Sequence, residues 1–304
     1  MFVFVTGGTG FVGRNLMPEL ARHNIGGRCL VRNLKKTPLC SGFEAVAGSL
    51  NDIPAGGMDG ADTVVHLAGI IREEDADTFQ SVHVHGTAGL VDEAVKAGVK
   101  NFFYQSALGA SLRSPSRYQR TKALAEEIVK DSGMRYAIFR PSLILGRLDG
   151  FSRQVMMMIN SGPAVPVPGT GEAKFQPLSV TDWVRCLLTV LKGGRFPDRV
   201  YELGGPERFS FNELITLYLQ AMGKQKKLVH LPISLVRTGL ALLGFARAAG
   251  FESKKFPPVG PDQLPLLETD NITDVDSIRK QFGFDPVDIK KALGDFLTPA
   301  PSVS

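Results

Sequence analysis

Apolar and polar positions alternate with two different periods along the first half of this chain, and the elements are delimited where one period gives way to the other. Phe2-Val3-Phe4-Val5-Thr6 is an apolar, β-branched run of strand length. It passes without a break into Gly7-Gly8-Thr9-Gly10-Phe11-Val12-Gly13, after which Val12, Leu16 and Leu20 fall on one helical face. Short apolar runs recur at Arg28 to Val31, Phe43 to Ala47, Asp62 to Leu67, Asn101 to Gln105 and Tyr136 to Arg140. Between them a helix is expected from about Phe79 to Ala97, with Val84, Ala88, Val91 and Val95 facing inward and Gly98 ending it. Another helix starts at Ser114-Pro115-Ser116. This alternation predicts an α/β protein with a parallel sheet. It stops at Gly146: Ser161 to Gly171, rich in Pro and Gly, reads as a long loop, Gln176 to Trp183 opens a helix, and Val200 to Leu203 returns as a strand.

Composition narrows the class. At 304 residues, 43% hydrophobic and 21% charged, the chain can bury a full core as one large domain or two modest ones. The net charge of +5 is spread out apart from short runs such as Lys224-Gln225-Lys226-Lys227, so it reads as a solvated surface and not as a nucleic-acid footprint. Cys29, Cys40 and Cys186 are odd in number and lack metal-ligand spacing; reduced thiols in a cytoplasm-like compartment and no metal site are expected. The N-terminal run has no basic region ahead of it and is not read as a signal peptide. The apolar stretch Leu231 to Phe251 is interrupted by Pro232, Arg237, Thr238 and Arg247 and does not read as a membrane span.

The candidate chemistry begins in the glycine loop. A strand, a glycine turn and a helix start together offer unpaired N–H groups and the positive end of a dipole to a pyrophosphate. Gly7 permits the turn, Gly10 lets the phosphate approach, and Gly13 lets the helix pack on the strand, with Phe11, Val12 and Arg14 in the first turn. About twenty residues on, where NAD sites place a carboxylate for the ribose 2′-hydroxyl, stands Arg32, with Lys35 and Lys36 nearby. Cations there suit a 2′-phosphate, so NADP(H) is expected over NAD(H). Gly48 to Asp52, including Ser49, is expected against the adenine, and Leu67-Ala68-Gly69 lets backbone lie close to a ligand. His66 reads as a packed strand histidine. Ser106 ends the fifth strand, where open parallel sheets bind ligands. Tyr118 and Lys122, four apart on one helical face, are expected to meet, the ammonium lowering the phenol from its ordinary value near 10.

With those residues assembled, the chain resembles the extended and atypical short-chain dehydrogenase/reductase superfamily (NAD-dependent epimerase/dehydratase-like) over nearly its whole length. Thr6 to Gly13 matches the nucleotide loop, His66-Leu67-Ala68-Gly69 the fourth-strand motif, Tyr118-Gln119-Arg120-Thr121-Lys122 the catalytic pair, and Arg140-Pro141-Ser142 the motif near the nicotinamide. Ser106 to Ala110, Ser114 to Tyr118 and Phe175-Gln176-Pro177 look most like the group containing the nucleotide-binding accessory subunit of respiratory complex I and its bacterial relatives. Two positions depart: Ser49 stands where an acidic residue often meets the adenine, and His83 where many members carry Asn.

The resemblance implies a doubly wound parallel sheet (Rossmann fold) from residues 1–146 with 176–204, and a smaller, discontinuous substrate domain from 147–175 with 205–304. It also implies a carbonyl or carbinol substrate, with Tyr118 as acid–base, Lys122 on the nicotinamide ribose and the phenol, Ser106 as orienter and Pro141 beside the nicotinamide. A catalytically quiet NADP(H)-binding module, resting through the apolar C-terminal stretch on a respiratory assembly or the inner face of a membrane, is the other function it implies. Nothing in the sequence speaks to oligomeric state.

Overall fold

The structure, a computed structural model, describes residues 1–34, 40–74, 76–248 and 261–297. Lys35 and Lys36 lie outside the described residues. The chain opens β1 (Phe2–Thr6), α1 (Phe11–Arg22), β2 (Gly26–Val31), β3 (Phe43–Ala47) and β4 (Thr63–His66). A π-helical turn, Gln80–His85, runs directly into α2 (Gly86–Lys96), and β5 (Asn101–Gln105), α3 (Arg117–Lys130) and β6 (Arg135–Pro141) come next. The chain then leaves the sheet through β7 (Ile144–Leu145), α4 (Gly150–Asn160), β8 (Val165–Pro168), β9 (Lys174–Phe175) and β10 (Leu178–Ser179). It returns with α5 (Val180–Lys192) and β11 (Arg199–Leu203). A second excursion makes β12 (Phe209–Ser210), α6 (Phe211–Ala221), β13 (Leu228–Leu231), α7 (Ile233–Ala248) and α8 (Leu264–Leu267), before α9 (Ser277–Phe282) and α10 (Ile289–Leu297).

Seven strands form one sheet in the order β11-β6-β5-β4-β1-β2-β3, every pair parallel. Parallel strands are covered on both faces, and β5 shows how the sequence meets that demand. Phe102 and Tyr104 turn into a core with Phe4, Val64, Leu90, Val129 and Ile138, under α2 and α3. Phe103 turns the other way, against Trp183 of α5 at 5.8 Å between ring centroids, and Phe139 of β6 meets the same indole at 5.9 Å. The sheet order reverses between β1 and β4, the doubly wound arrangement expected of the chain.

Contacts divide the chain into two units. The first is Met1–Pro141 with Val180–Leu203 and Ser277–Phe284; the second is Ser142–Ser179 with Gly204–Asp276 and Asp285–Ser304. This division differs from the one expected from sequence chiefly at Ser277–Phe284, which rejoins the sheet because Phe282 packs on Phe139 and Tyr201. In the second unit a core of Val155, Ile159, Val167, Phe175, Phe209, Leu214 and Tyr218 fills the space among α4, α6 and the short strands. Gln176, wholly buried there, donates to the carbonyl of Gly205 and accepts from the N–H of Thr273.

Three sequence expectations change. The helix expected from Phe79 starts with the wider π turn, which shifts the phase of the turns after it. The buried positions are therefore His83, Thr87, Leu90, Val91 and Ala94, whereas Val95 is 51% exposed. On α1 the buried face is Gly13, Leu16, Met17 and Leu20, with Val12 at its margin. The Pro/Gly-rich segment Ser161 to Gly171 holds β8, paired in parallel with β13, so Pro166 and Pro168 sit in a two-stranded ribbon and not in an open loop. Among the described residues no helix is long and apolar enough to cross a membrane.

Trp183 is fully buried with its indole N–H unpartnered. Trp183→Ala should cost about 3–5 kcal/mol in denaturant unfolding. Trp183→Phe should cost well under half of that, since it keeps most of the packing and removes a donor that has no acceptor.

Candidate functional site

At the switch point the backbones of β1 and β4 run on into touching loops. Gly7 has φ +73°, and a Cβ there would stand 2.6 Å from the amide nitrogen of Ala68. A Cβ on Gly13 would stand 2.4 Å from the carbonyl oxygen of Gly7. Neither position tolerates a side chain, so α1 is clamped down on the loop and the loop on Leu67-Ala68-Gly69. Gly10 closes the turn by donating to the Gly7 carbonyl at 3.0 Å and caps α1 without a side chain; the first turn carries no carboxylate. The amides of Phe11, Val12 and Gly13 thus head a helix that has no anion of its own. Arg14 is exposed beside them.

Arg32 comes directly after β2, which is in register with β1 through Thr6 and Leu30. Its guanidinium donates to Oδ2 of Asp77 at 3.1 Å. Ser49 sits after β3 in a tight turn, its N–H donating to the carbonyl of Asp52 and its carbonyl accepting in return.

Ser116 caps α3 by accepting from the N–H of Gln119, and the helix carries Tyr118 and Lys122 toward the carboxyl end of β5. Lys122 is 4% exposed; its Nζ donates to the Gln105 carbonyl at 2.8 Å and lies 4.9 Å from the centroid of the Tyr104 ring. Burial brings this ammonium down to about 7, against the upward pull of Glu126. The half-buried Tyr118 is pushed up to about 12 by burial. This corrects the expectation that Lys122 lowers the phenol: desolvation outweighs the cation, whose hydrogen bond goes to Gln105. Ser106, 3% exposed, donates its hydroxyl to Glu126 at 2.5 Å. Glu126 is wholly buried and also receives two guanidinium N–H groups of Arg140, at 2.8 and 2.7 Å. Pro141 ends β6, its carbonyl accepting from Leu108.

One residue of the site stands out in the sequence only as a departure from the family pattern. His83 stacks on Phe79 at 5.6 Å, meets Tyr118 edge-on at 5.5 Å, and accepts at Nε2 from the N–H of Ile70 at 3.2 Å. On its other side Nδ1 lies 3.0 Å from Oγ1 of Thr121, whose hydroxyl is directed to the carbonyls of Arg117 and Tyr118. Both neighbours dictate one tautomer, with the proton on Nδ1. A Cβ on Gly69 would lie 3.1 Å from Nζ of Lys122 and 3.5 Å from Nε2 of His83, so Gly69, His83, Tyr118 and Lys122 converge. The π turn that brings His83 there is invisible to a 3.6-residue period; the signal available was its place three residues before Gly86. Among the described residues no group of three or more His, Cys, Asp or Glu side chains is placed to hold a metal ion.

The sequence pattern of the NAD dependent epimerase/dehydratase family matches residues 3–204. The chain is 29% identical over 295 residues to the mitochondrial NADH dehydrogenase [ubiquinone] 1 alpha subcomplex subunit 9 of Arabidopsis thaliana, covering 91% of this chain and 72% of that protein. It is 26% identical over 323 residues to a 3 beta-hydroxysteroid dehydrogenase/Delta 5-->4-isomerase of Mycobacterium tuberculosis, covering 94% and 86%. Its fold is that of the UDP-glucuronic acid 4-epimerase from Bacillus cereus, solved with UDP-glucuronic acid and NAD. The two superpose with a TM-score of 0.71 over 97% of this chain and 98% of that one, at 18% identity.

His66 is as buried as His83, bonded to Thr6 at 2.6 Å and Thr87 at 3.1 Å. Burial, helped by the Lys122 charge, lowers His66 from 6.5 to about 3 and His83 to about 2. Both are neutral in the fold and protonate on unfolding below pH 6.5, so unfolding takes up protons and stability falls as pH falls through that window. Between pH 7.5 and 5 each should contribute a loss of about 2 kcal/mol in denaturant unfolding. His83→Gln should flatten the pH slope by about one proton.

Proposed function

Because this chain belongs to the NAD dependent epimerase/dehydratase family, we propose that it is an NADP(H)-dependent oxidoreductase or epimerase acting on a carbonyl or carbinol carbon. The observation that carries this reading is the convergence of Tyr118, Lys122, His83 and Gly69 next to a glycine loop that only backbone can fill. The nucleotide fits the residues present: a bare helix start for its pyrophosphate, and a cradle at Gly7, Gly10 and Gly13 that a Cβ would obstruct. When bound, the nicotinamide supplies the hydride acceptor or donor.

Tyr118 is the proton carrier. With its phenol near 12 it keeps its proton at neutral pH, which suits donation to a carbonyl oxygen. Taking a proton from a carbinol requires the phenolate, and Lys122 is the cation within the same helix turn that can stabilise it once Nζ exchanges its bond to Gln105. His83 meets the Tyr118 ring edge-on and accepts from the backbone N–H of Ile70, so it positions the phenol relative to the loop after β4. To donate to a carbonyl oxygen as orienter, Ser106 gives up its bond to Glu126. Arg32 receives the 2′-phosphate; Ser49 lies toward the adenine and Pro141 toward the nicotinamide. The three free thiols fit a reducing compartment.

A second reading, a nucleotide-holding module of a respiratory assembly, is favoured by the commitment of the Ser106 hydroxyl to Glu126 and by the name of the Arabidopsis relative. The two part in one preparation. An enzyme loses its nucleotide on dialysis and oxidises NADPH when carbonyl substrates are added; a module keeps its nucleotide, turns over nothing and migrates with a membrane complex.

In calorimetry NADPH should bind about one to two decades more tightly than NADH, the weight of a charge-assisted phosphate contact of about 1.5–3 kcal/mol. Arg32→Asp should reverse the order. Tyr118→Phe should abolish turnover with nucleotide affinity nearly intact, and Lys122→Ala should weaken both. Undiminished turnover in the phenylalanine variant would remove Tyr118 from its role.

A further inference from the structure

Arg32 does not wait for a ligand with its charge unanswered. Its guanidinium is bonded to a carboxylate 45 residues further along the chain, on the segment between β4 and the π turn. The contact is a single N–H to Oδ2 at 3.1 Å, with the arginine side chain 79% and the aspartate 48% exposed. Asp77 is delivered there by a built turn. Its N–H donates to the Glu74 carbonyl at 2.9 Å, and its carbonyl accepts from the N–H of Glu74 at 3.1 Å. Immediately beyond, Thr78 donates to the Ser81 hydroxyl and Phe79 to the Glu73 carboxylate. That same Glu73 holds Arg117 by two bonds, at 2.8 and 3.1 Å. The backbone of Asp77 is therefore tied to that of Glu74 and followed by the bonded Thr78 and Phe79, so the carboxylate can yield Arg32 by side-chain rotation alone.

We propose that Asp77 is a specificity-determining residue of the nucleotide site, an internal anion that competes with the 2′-phosphate of NADP(H) for Arg32. The inference rests on the assignment of Arg32 to that phosphate. A guanidinium presents five N–H groups in a fixed plane, and a phosphate engages them best in pairs. With Asp77 in place, an arriving phosphate must displace a carboxylate or lie beside one, and either lowers its affinity. A 2′-hydroxyl carries no charge and meets no such competitor. Asp77 thus narrows the margin by which Arg32 prefers the phosphorylated nucleotide, and its removal widens it.

The test is a calorimetric comparison of full-length wild type, Asp77→Asn, Arg32→Ala and the double variant, with 2′,5′-ADP, 5′-AMP, NADPH and NADH. Asp77→Asn should tighten 2′,5′-ADP and NADPH about two- to tenfold, the worth of an exposed ion pair plus one relieved repulsion. It should leave 5′-AMP and NADH within twofold. The gain should vanish in the Arg32→Ala background and shrink at about 1 M salt, where charges are screened within about 3 Å. An unchanged ratio of NADPH to NADH affinity in Asp77→Asn would overturn the proposal, as would a selective loss of NADH binding, which would make Asp77 a ribose ligand. If Arg32→Ala loses 2′,5′-ADP affinity while Asp77→Asn changes nothing, the Asp77 inference alone fails. If Arg32→Ala binds 2′,5′-ADP as well as wild type does, the arginine assignment falls and this one with it.

Discussion

A carboxylate with no access to water sets the geometry of everything around it. Glu126 of α3 takes the guanidinium of Arg140 in two parallel bonds and the hydroxyl of Ser106 in a third, so one side chain joins the helix to the ends of β5 and β6. A lone buried carboxylate would be strongly disfavoured, and a buried pair is tolerated only when its remaining lone pairs are satisfied. Here they are. Glu126 also stands one turn beyond Lys122, and its charge is what favours the ammonium against burial. Tyr118 is a further turn back on the same helix. The position of the phenol and the charge of the lysine therefore both depend on an ion pair at the next turn of the same helix.

Around that anchor the site is built from groups held away from their ordinary ionisation. Two histidines are kept neutral, a tyrosine is kept protonated, and a lysine is brought to the edge of neutrality. Desolvation is the largest cause in all four. Such a cluster is expensive in folding free energy and concentrated at the carboxyl ends of the strands, where open parallel sheets bind ligands.

How much of this was legible differed by element. The strands were readable because a parallel strand is covered twice and must be apolar along its whole length, as Phe102-Phe103-Tyr104 is. The glycine loop was readable because a Cβ added at Gly7 or Gly13 would stand 2.6 or 2.4 Å from a backbone atom, which leaves glycine no substitute. The π turn was not, since one extra residue in a turn leaves no compositional mark yet moves Val95 to the surface and His83 into the site. The bond of Ser106 to Glu126 was not either, because it joins positions twenty residues apart whose meeting depends on how α3 lies on the sheet. The same holds for Asp77 and Arg32. Residue types could suggest Tyr118 and Lys122 as partners; only the fold shows the ammonium directed at the Gln105 carbonyl.

The return of Ser277–Phe284 to the sheet has a consequence for how the protein is made. Phe282 closes over Phe139 and Tyr201, with ring centroids 5.8 and 5.2 Å away, so one side of the first unit is finished by residues that follow β11 only after the long second excursion. During synthesis the strands around the glycine loop emerge first, whereas the β6–β11 edge must stay open until Ser277–Phe284 has left the ribosome. Contacts that distant in sequence form slowly, and the rings of Phe139 and Tyr201 lack the cover of Phe282 meanwhile. The nascent chain passes through a stage at which its nucleotide cradle is complete but its far edge is bare. Early capture of a nucleotide by the cradle would favour the folded form during that interval.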